Sequence, residues 1–477
     1  MFFDRVKSME QILACAEQRS LKRQLGWFDL MVLGIGAIIG TGIFVLTSVA
    51  ANKAGPGMMF SFIIAGVVCA LAAIIYAEIA AMVPVSGSAY TYAYAVLGEL
   101  VAWMVGWALM LEYAIAAGAV AVGWSGYMNG FLHELGFALP LALTAGPLDS
   151  ITLADGSVAQ GSFNLVACLI SLLVTGLLVL GTSKSAKVTA VLVVIKIVAL
   201  MVFVVLALPA VEVRHFEPML PNGWGTPLSG LGVFGAAASI FFAFVGFDAV
   251  STAAEETKNP NRNLPIGVIG SFAVCTVFYM LVAYAAVGAI GAQPGGALSQ
   301  SKEPLAFVLR ELGYVRLGNW IGIAAILALP SVILMMIFGQ TRILFTMARD
   351  GLMPQIFTRV HTRFHTPHIV TMITGGVVAI FSATFPVAML ADISNSGTLF
   401  AFFMVILGVM ILRVTQPERH RSFRTPMIVV LGPVALFGCV ILFLSLGWNP
   451  TIKYFVMWAA LGVFTYFTFA RRNSLLA

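Results

Sequence analysis

Charge is what this sequence has least of. Of 477 residues only 10% are Asp, Glu, Lys or Arg, where an ordinary soluble domain carries about 25%. So few charges cannot cover a water-facing surface, and with 60% apolar residues the deficit excludes a soluble enzyme, a nucleic-acid binder and a disordered chain. Cysteine is also scarce. Cys15, Cys69, Cys168, Cys275 and Cys439 stand singly, with no CxxC pair or metal-type spacing, and read as small buried hydrophobes. The first residues, MFFDRVKSMEQILACAEQRSLKR, lack a short apolar core followed by a small-residue cleavage site, so no cleaved signal peptide is indicated. The net charge of +6 would hint at phosphate-bearing partners in a soluble protein. In a membrane protein the placement of the cations matters more than their sum.

What the chain does have is long apolar runs. Stretches able to cross about 30 Å of hydrocarbon recur at 27–49, 59–83, 97–125, 162–182, 187–209, 230–254, 265–291, 317–345, 368–387, 393–413, 428–446 and 452–470. Twelve spans are expected. With the N-terminus inside, nineteen of the 26 Lys and Arg fall on the cytoplasmic side, six fall outside, and Lys196 lies within a span. The cation bias of short loops sets orientation, so both termini are expected inside a cell membrane. The longest connections, 126–161 and 292–316, are too short to build a core of their own.

Two of the spans should not be continuous helices. The first, WFDLMVLGIGAIIGTGIFVLTSVA, carries Gly34, Gly36, Gly40 and Gly42 at its middle, each costing about 1 kcal/mol relative to Ala in a helix. One reading is close helix packing through Gly36 and Gly40; the other is unwinding, which at membrane depth is tolerated only where the backbone lines a cavity or is buried in protein. Thr41 and the second pair of glycines favour unwinding. The sixth span repeats the theme: Phe241, Phe242 and Phe244 lead into Gly246 and Asp248. Interrupted helices five spans apart point to an inverted-repeat secondary transporter with its substrate at the midplane. A half-helix N-terminus offers N–H groups to an anion and a half-helix C-terminus offers carbonyls to a cation, so a zwitterion suits both ends.

Four ionisable residues sit within spans: Glu78, Glu112, Lys196 and Asp248. Each costs several kcal/mol at depth unless paired or hydrated. Lys196 lies near the bilayer centre, where desolvation weakens its hold on its proton, which makes it the leading candidate for a coupling site. Asp248 and Glu112 fit proton relays, partners of a substrate ammonium or gate elements, and Glu78 fits the inner vestibule. His361, His365 and His368 lie in an Arg-rich loop with no acidic or Cys cluster beside them, a poor metal site. No metal or other cofactor is expected, and no nucleophile–base constellation marks a membrane enzyme.

Four motifs carry a family resemblance: GIGAIIGTGIF (Gly34 to Phe44), VPVSGSAYTYAY (Val83 to Tyr94), FFAFVGFDAVSTAAEETKNP (Phe241 to Pro260) and GQTRILFTMARDGLMP (Gly339 to Pro354). Over nearly its whole length the chain resembles the amino acid–polyamine–organocation superfamily, and within it the bacterial branch of the cationic amino acid transporters. The resemblance implies an all-α polytopic membrane protein of twelve transmembrane helices with a LeuT-like five-plus-five inverted repeat. Residues 1–26 would form a cytoplasmic segment, 27–209 the first half, 230–413 the second, and 428–470 two peripheral helices. It further implies that backbone N–H groups at Thr41 and Gly42 hold a substrate carboxylate. Carbonyls of Ile38, Phe241 and Ala243 would hold its amino group, and Phe242 would gate it. Lys196 matches a fifth-span lysine of the family, which implies proton coupling, and Glu112 matches a third-span acid typical of this branch; with Asp248 they are the expected proton-coupling residues. Met335 would face the side-chain end of the pocket, where bulk favours small or neutral side chains.

The expected function is proton-coupled symport of L-amino acids by alternating access. Uptake of cationic amino acids and obligate exchange are the alternatives. The partners expected are the amino acid, protons, the bilayer and a possible small single-span subunit, with no nucleic acid.

Overall fold

Backbone surrounded by hydrocarbon has to satisfy its N–H and C=O groups internally, which helices do along their own length. In a computed structural model, which describes residues 25–83, 88–152, 158–181, 186–248, 250, 257–364 and 366–475, the apolar runs fold in that way. Among the described residues, eight helical stretches are long and apolar enough to cross a membrane: Leu46–Met82, Glu99–Glu134, Ala190–Ala210, Pro260–Ile290, Val315–Arg349, Val387–Thr415, Ile428–Ser445 and Trp448–Asn473. Shorter apolar helices run over Trp27–Ile38, Leu165–Val179, Gly232–Phe244 and His368–Thr384. The protein is a helical multi-pass membrane protein whose described strands are one antiparallel hairpin, β1 (Ser150–Thr152) and β2 (Val158–Gln160).

In chain order the helices are α1 (Trp27–Ile38), α2 (Thr41–Phe44), α3 (Leu46–Ala54), α4 (Met58–Met82), α5 (Ser88–Val96), α6 (Glu99–Glu134), α7 (Leu141–Thr144), α8 (Leu165–Val179), α9 (Ala186–Ala207), α10 (Gly232–Phe244) and α11 (Pro260–Ile290). Beyond them come α12 (Ala297–Gln300), α13 (Pro304–Glu311), α14 (Val315–Arg349), α15 (His368–Thr384), α16 (Val387–Thr415), α17 (Ile428–Ser445) and α18 (Lys453–Thr465). Residues 1–24, 84–87 of the VPVSGSAYTYAY motif, 251–256 of the sixth-span motif and His365 lie outside the described residues.

Several expected boundaries move. The third run was expected to end at 125, but α6 continues to Glu134, so the first part of the expected 126–161 connection is helix. Polar residues such as Asn129 and His133 extend a helix readily once it leaves hydrocarbon. The tenth begins at Val387 instead of 393, which brings Asp392 inside it.

At the centre stands α6, packed against α5, α8, α14, α15 and α16. In its most apolar window 83% of residues are buried, against 28% for Ile428–Ser445 and 22% for Trp448–Asn473. The last two helices are the least buried of the eight long ones. Small residues let α6 occupy the middle: a Cβ on Gly106 would meet Met347 Sδ at 2.7 Å, and one on Gly123 would meet the Thr41 methyl at 2.7 Å. Similarly, α11 lies against α1, where Gly267 abuts Leu30 and Gly270 abuts Met31.

Candidate substrate site at two broken helices

The glycine-rich first span is interrupted. Helix α1 ends at Ile38, Ile39 is extended, and the chain turns through Gly40 before α2 begins at Thr41. A helix end leaves carbonyls without intrahelical partners, and here side chains from other helices reach in to satisfy them. Lys196 Nζ on α9 donates to the Gly36 carbonyl at 2.8 Å. The Tyr279 hydroxyl on α11 donates to the Ile38 carbonyl, also at 2.8 Å. Beyond the break the Tyr127 hydroxyl on α6 donates to the Phe44 carbonyl at 2.6 Å. Thr41 is 1% exposed and its hydroxyl oxygen has no hydrogen-bond partner, an orphaned polar group at the mouth of α2.

The sixth span breaks beside it. Helix α10 ends at Phe244, and the Val245 N–H bonds to the Phe242 carbonyl at 3.3 Å instead of reaching back to Phe241. Carbonyls of the last turn, Phe241 and Ala243 among them, therefore lie past the helix end. The two breaks touch through glycine. A Cβ on Gly42 would run into the backbone of Ala243, and one on Gly246, whose φ is +125°, would lie 2.9 Å from the Ala37 carbonyl carbon and oxygen. The N-terminal end of α2 and the C-terminal ends of α1 and α10 thus converge.

On the far wall, a Cβ on Gly40 would sit 3.3 Å from Val332 on α14. Met335 and Met336 follow one turn later on the same helix face, Met335 half-buried and Met336 buried. Phe242 is 8% exposed, while Phe241 is fully buried with its ring 6.1 Å from that of Phe402.

The acids form a second cluster. The Tyr113 hydroxyl on α6 donates to Asp248 Oδ2 at 2.9 Å, and Glu112, one residue earlier, is within electrostatic reach of Asp248. Glu112 is 3% exposed and its Oε2 has no hydrogen-bond partner. Glu78, expected at the inner vestibule, is tied to the cationic residues Arg413 and Arg421. It takes two 2.7 Å bonds from Arg413, a 2.8 Å bond from the Thr425 N–H, and has Arg421 Nε at 3.3 Å. Of the expected site residues, Ile38, Thr41, Gly42, Phe241, Phe242, Ala243, Lys196, Glu112 and Asp248 are all buried, so the site is closed to solvent in this conformation.

A family described as amino acid permease matches residues 25–468. The chain belongs to the amino acid permease family. The permease is 44% identical over 476 residues to the branched-chain amino acid permease BcaP of Bacillus subtilis (strain 168), an alignment covering 99% of this chain and 98% of that one. It is 41% identical over 473 residues to the methylthioribose transporter of the same organism, covering 99% and 98%. It is 35% identical over 407 residues to the chloroplastic cationic amino acid transporter 9 of Arabidopsis thaliana, covering 84% of this chain and 68% of the plant protein. A transporter family, rather than an enzyme, is where the permease sits.

Sequence reasoning missed several residues at the permease's breaks: Tyr113, Tyr127, Tyr279, Val332 and Asn395. Asn395 Nδ2 on α16 donates to the carbonyls of Ala238 and Ser239 on α10, at 2.7 and 3.0 Å. Its signal was present in the polar run DISNSGT inside an apolar stretch. Lys53 and Asp392 were missed as a pair, because one was placed in a loop and the other ahead of a span. Their ion pair is 2.7 Å long, with Ser239 bonded to both partners.

Proposed function

We propose that the permease is a secondary active transporter of neutral L-amino acids, driven by protons through Lys196. It is read as a twelve-span protein of the cell membrane with both termini cytoplasmic and a five-plus-five inverted repeat broken at α1–α2 and after α10. The observation that carries the coupling is the 2.8 Å contact of Lys196 Nζ with the Gly36 carbonyl. A cation at a helix C-terminus is stabilised by the last-turn carbonyls, by up to about 2 kcal/mol where partly buried. A charged Lys196 holds the end of α1 in the closed arrangement, and loss of the proton weakens that hold.

The substrate bridges the same break. Its carboxylate is assigned to the N–H groups of Thr41 and Gly42, and its ammonium to carbonyls of Ile38, Phe241 and Ala243. The Ile38 oxygen already accepts from Tyr279, and a carbonyl keeps a second lone pair for the ammonium. Because Lys196 and the substrate act on one broken helix, protonation and substrate binding strengthen each other by the same factor. Asp248, held by Tyr113, and Glu112 form the relay. Phe242 covers the substrate.

Val332, Met335 and Met336 give the side-chain end an apolar wall, which suits aliphatic side chains and disfavours a guanidinium or ammonium. The relative that carries branched-chain amino acids points the same way. The methylthioribose transporter supplies the second reading, since a thioether also suits a methionine wall, although a sugar lacks the charged pair that both helix ends fit. The test is a competition panel against labelled leucine in proteoliposomes. Valine, isoleucine and alanine are expected to compete, and arginine, lysine and methylthioribose to compete weakly. Strong competition by arginine, or uptake of methylthioribose in preference to leucine, would contradict the neutral amino acid reading.

A further inference from the structure

A groove of about 490 Å³ lies between the first turns of α11 and the segment that precedes α17. Asn261, Arg262 and Ser422 line its polar end, and Ile266, Ile269 and Phe423 its apolar wall. The cations around it are uncommitted. Arg262 lines the groove and Arg424 follows the lining residue Phe423 in sequence; both are exposed, and neither side chain makes a hydrogen bond or ion pair among the described residues, while Lys258, four residues before Arg262, is also exposed.

The wall that carries Ser422 and Phe423 is fixed in place. Arg421 donates to the carbonyls of Leu412, Gln416, Pro417 and Arg419, and Glu78 takes the Thr425 N–H at 2.8 Å. Burial lowers the Arg421 guanidinium from its ordinary value and Arg413, Arg424 and Arg419 lower it further, against the opposing pull of Glu78. Positive charge is crowded at this end of the bundle.

We propose that this groove binds an anionic phospholipid, the phosphodiester between Arg262 and Arg424 and one acyl chain along Ile266, Ile269 and Phe423. A basic pocket between transmembrane helices suits an anionic headgroup at the membrane surface, and the positive end of a 31-residue helix adds to it. The apolar wall requires an amphiphile, since a free phosphate would occupy the polar end alone. The lipid would bear on transport because the same turns of α11 pack on α1, Gly267 against Leu30 and Gly270, which itself lines the groove, against Met31. A chain in the groove stiffens α11 behind the helix whose end Lys196 holds.

The test is native mass spectrometry of the delipidated full-length permease titrated with phosphatidylglycerol and phosphatidylcholine. Retention of phosphatidylglycerol is expected to be at least tenfold stronger, to fall at least fivefold in the Arg262→Gln/Arg424→Gln double variant, and to persist in millimolar inorganic phosphate. Ile266→Trp, which fills the groove, is expected to reduce retention without touching the cations. In the unmodified protein, a photoreactive phosphatidylglycerol should label the peptides containing Ile266 to Gly270 or Ser422 to Phe423. Unchanged retention in both variants, displacement by inorganic phosphate, or labelling confined to other segments would overturn the proposal.

Discussion

Gly42 sets how closely the two breaks approach, because its missing Cβ is what lets α2 lie on the backbone of Ala243. The obstacle is main chain and cannot rotate away, so Gly42→Ala is expected to lower uptake at least tenfold while the protein still inserts and purifies. A transport assay normalised to folded protein checks this. Tyr279 is a subtler case. Removing its hydroxyl in Tyr279→Phe deletes a hydrogen bond worth about 0.5–1.5 kcal/mol from the carbonyl assigned to the substrate ammonium. Substrate affinity, measured by tryptophan fluorescence or calorimetry, should weaken by a few fold to about tenfold. The glycines were legible in the sequence because four helix-weakening residues in a span have few explanations. The tyrosines were not, because a Tyr in an apolar run is unremarkable and the partner of Tyr279 lies 241 residues away.

Between elements, buried ion pairs do the fastening. Glu78 on α4 is fully buried and held by Arg413 on α16, with Arg421 Nε at 3.3 Å, so removing Arg413 leaves it only the longer Arg421 contact as a cationic partner, at part of the roughly 3–5 kcal/mol that stranding a buried charge outright costs. Arg413→Met should therefore lower the thermal unfolding midpoint in detergent markedly, and Glu78→Met added to it should restore much of the loss. At the other end, Glu303 stands at the N-terminus of α13 and pairs with Arg310. Burial raises its carboxyl above the usual range, more than Arg310 lowers it. With the folded value raised, the stabilising contribution is full below the unfolded pKa of about 4.3 and is lost as pH rises through the folded value. Hydrogen exchange across Pro304–Glu311 should quicken as pH rises through that window once corrected for intrinsic rates, and Glu303→Gln should remove the dependence. Helix existence was legible from the apolar runs, whereas helix ends were not. The tenth helix begins at Val387, and placing its start at 393 hid Asp392, and with it the Lys53 pair, from a search for charges at depth.

Across the whole molecule, the scarcity of charge fixed the class of protein, and the buried exceptions to it are the residues on which the proposed function rests. Lys196 is 1% exposed and lies on a broken helix end, while Glu112 and Asp248 share a second cluster reached through Tyr113. The sequence pattern anticipated the breaks and the placing of these three charges within apolar runs, where they are buried. It did not anticipate which hydroxyls and amides close the breaks, since those contacts depend on three-dimensional packing. The most direct test of the account is leucine accumulation in proteoliposomes under an imposed inward proton gradient, compared between the wild type and Lys196→Met. The account predicts accumulation above equilibrium in the wild type, abolished by a protonophore and indifferent to sodium, with only downhill flux left in the variant. Sodium-driven accumulation in the wild type, or undiminished proton-driven accumulation in Lys196→Met, would contradict it.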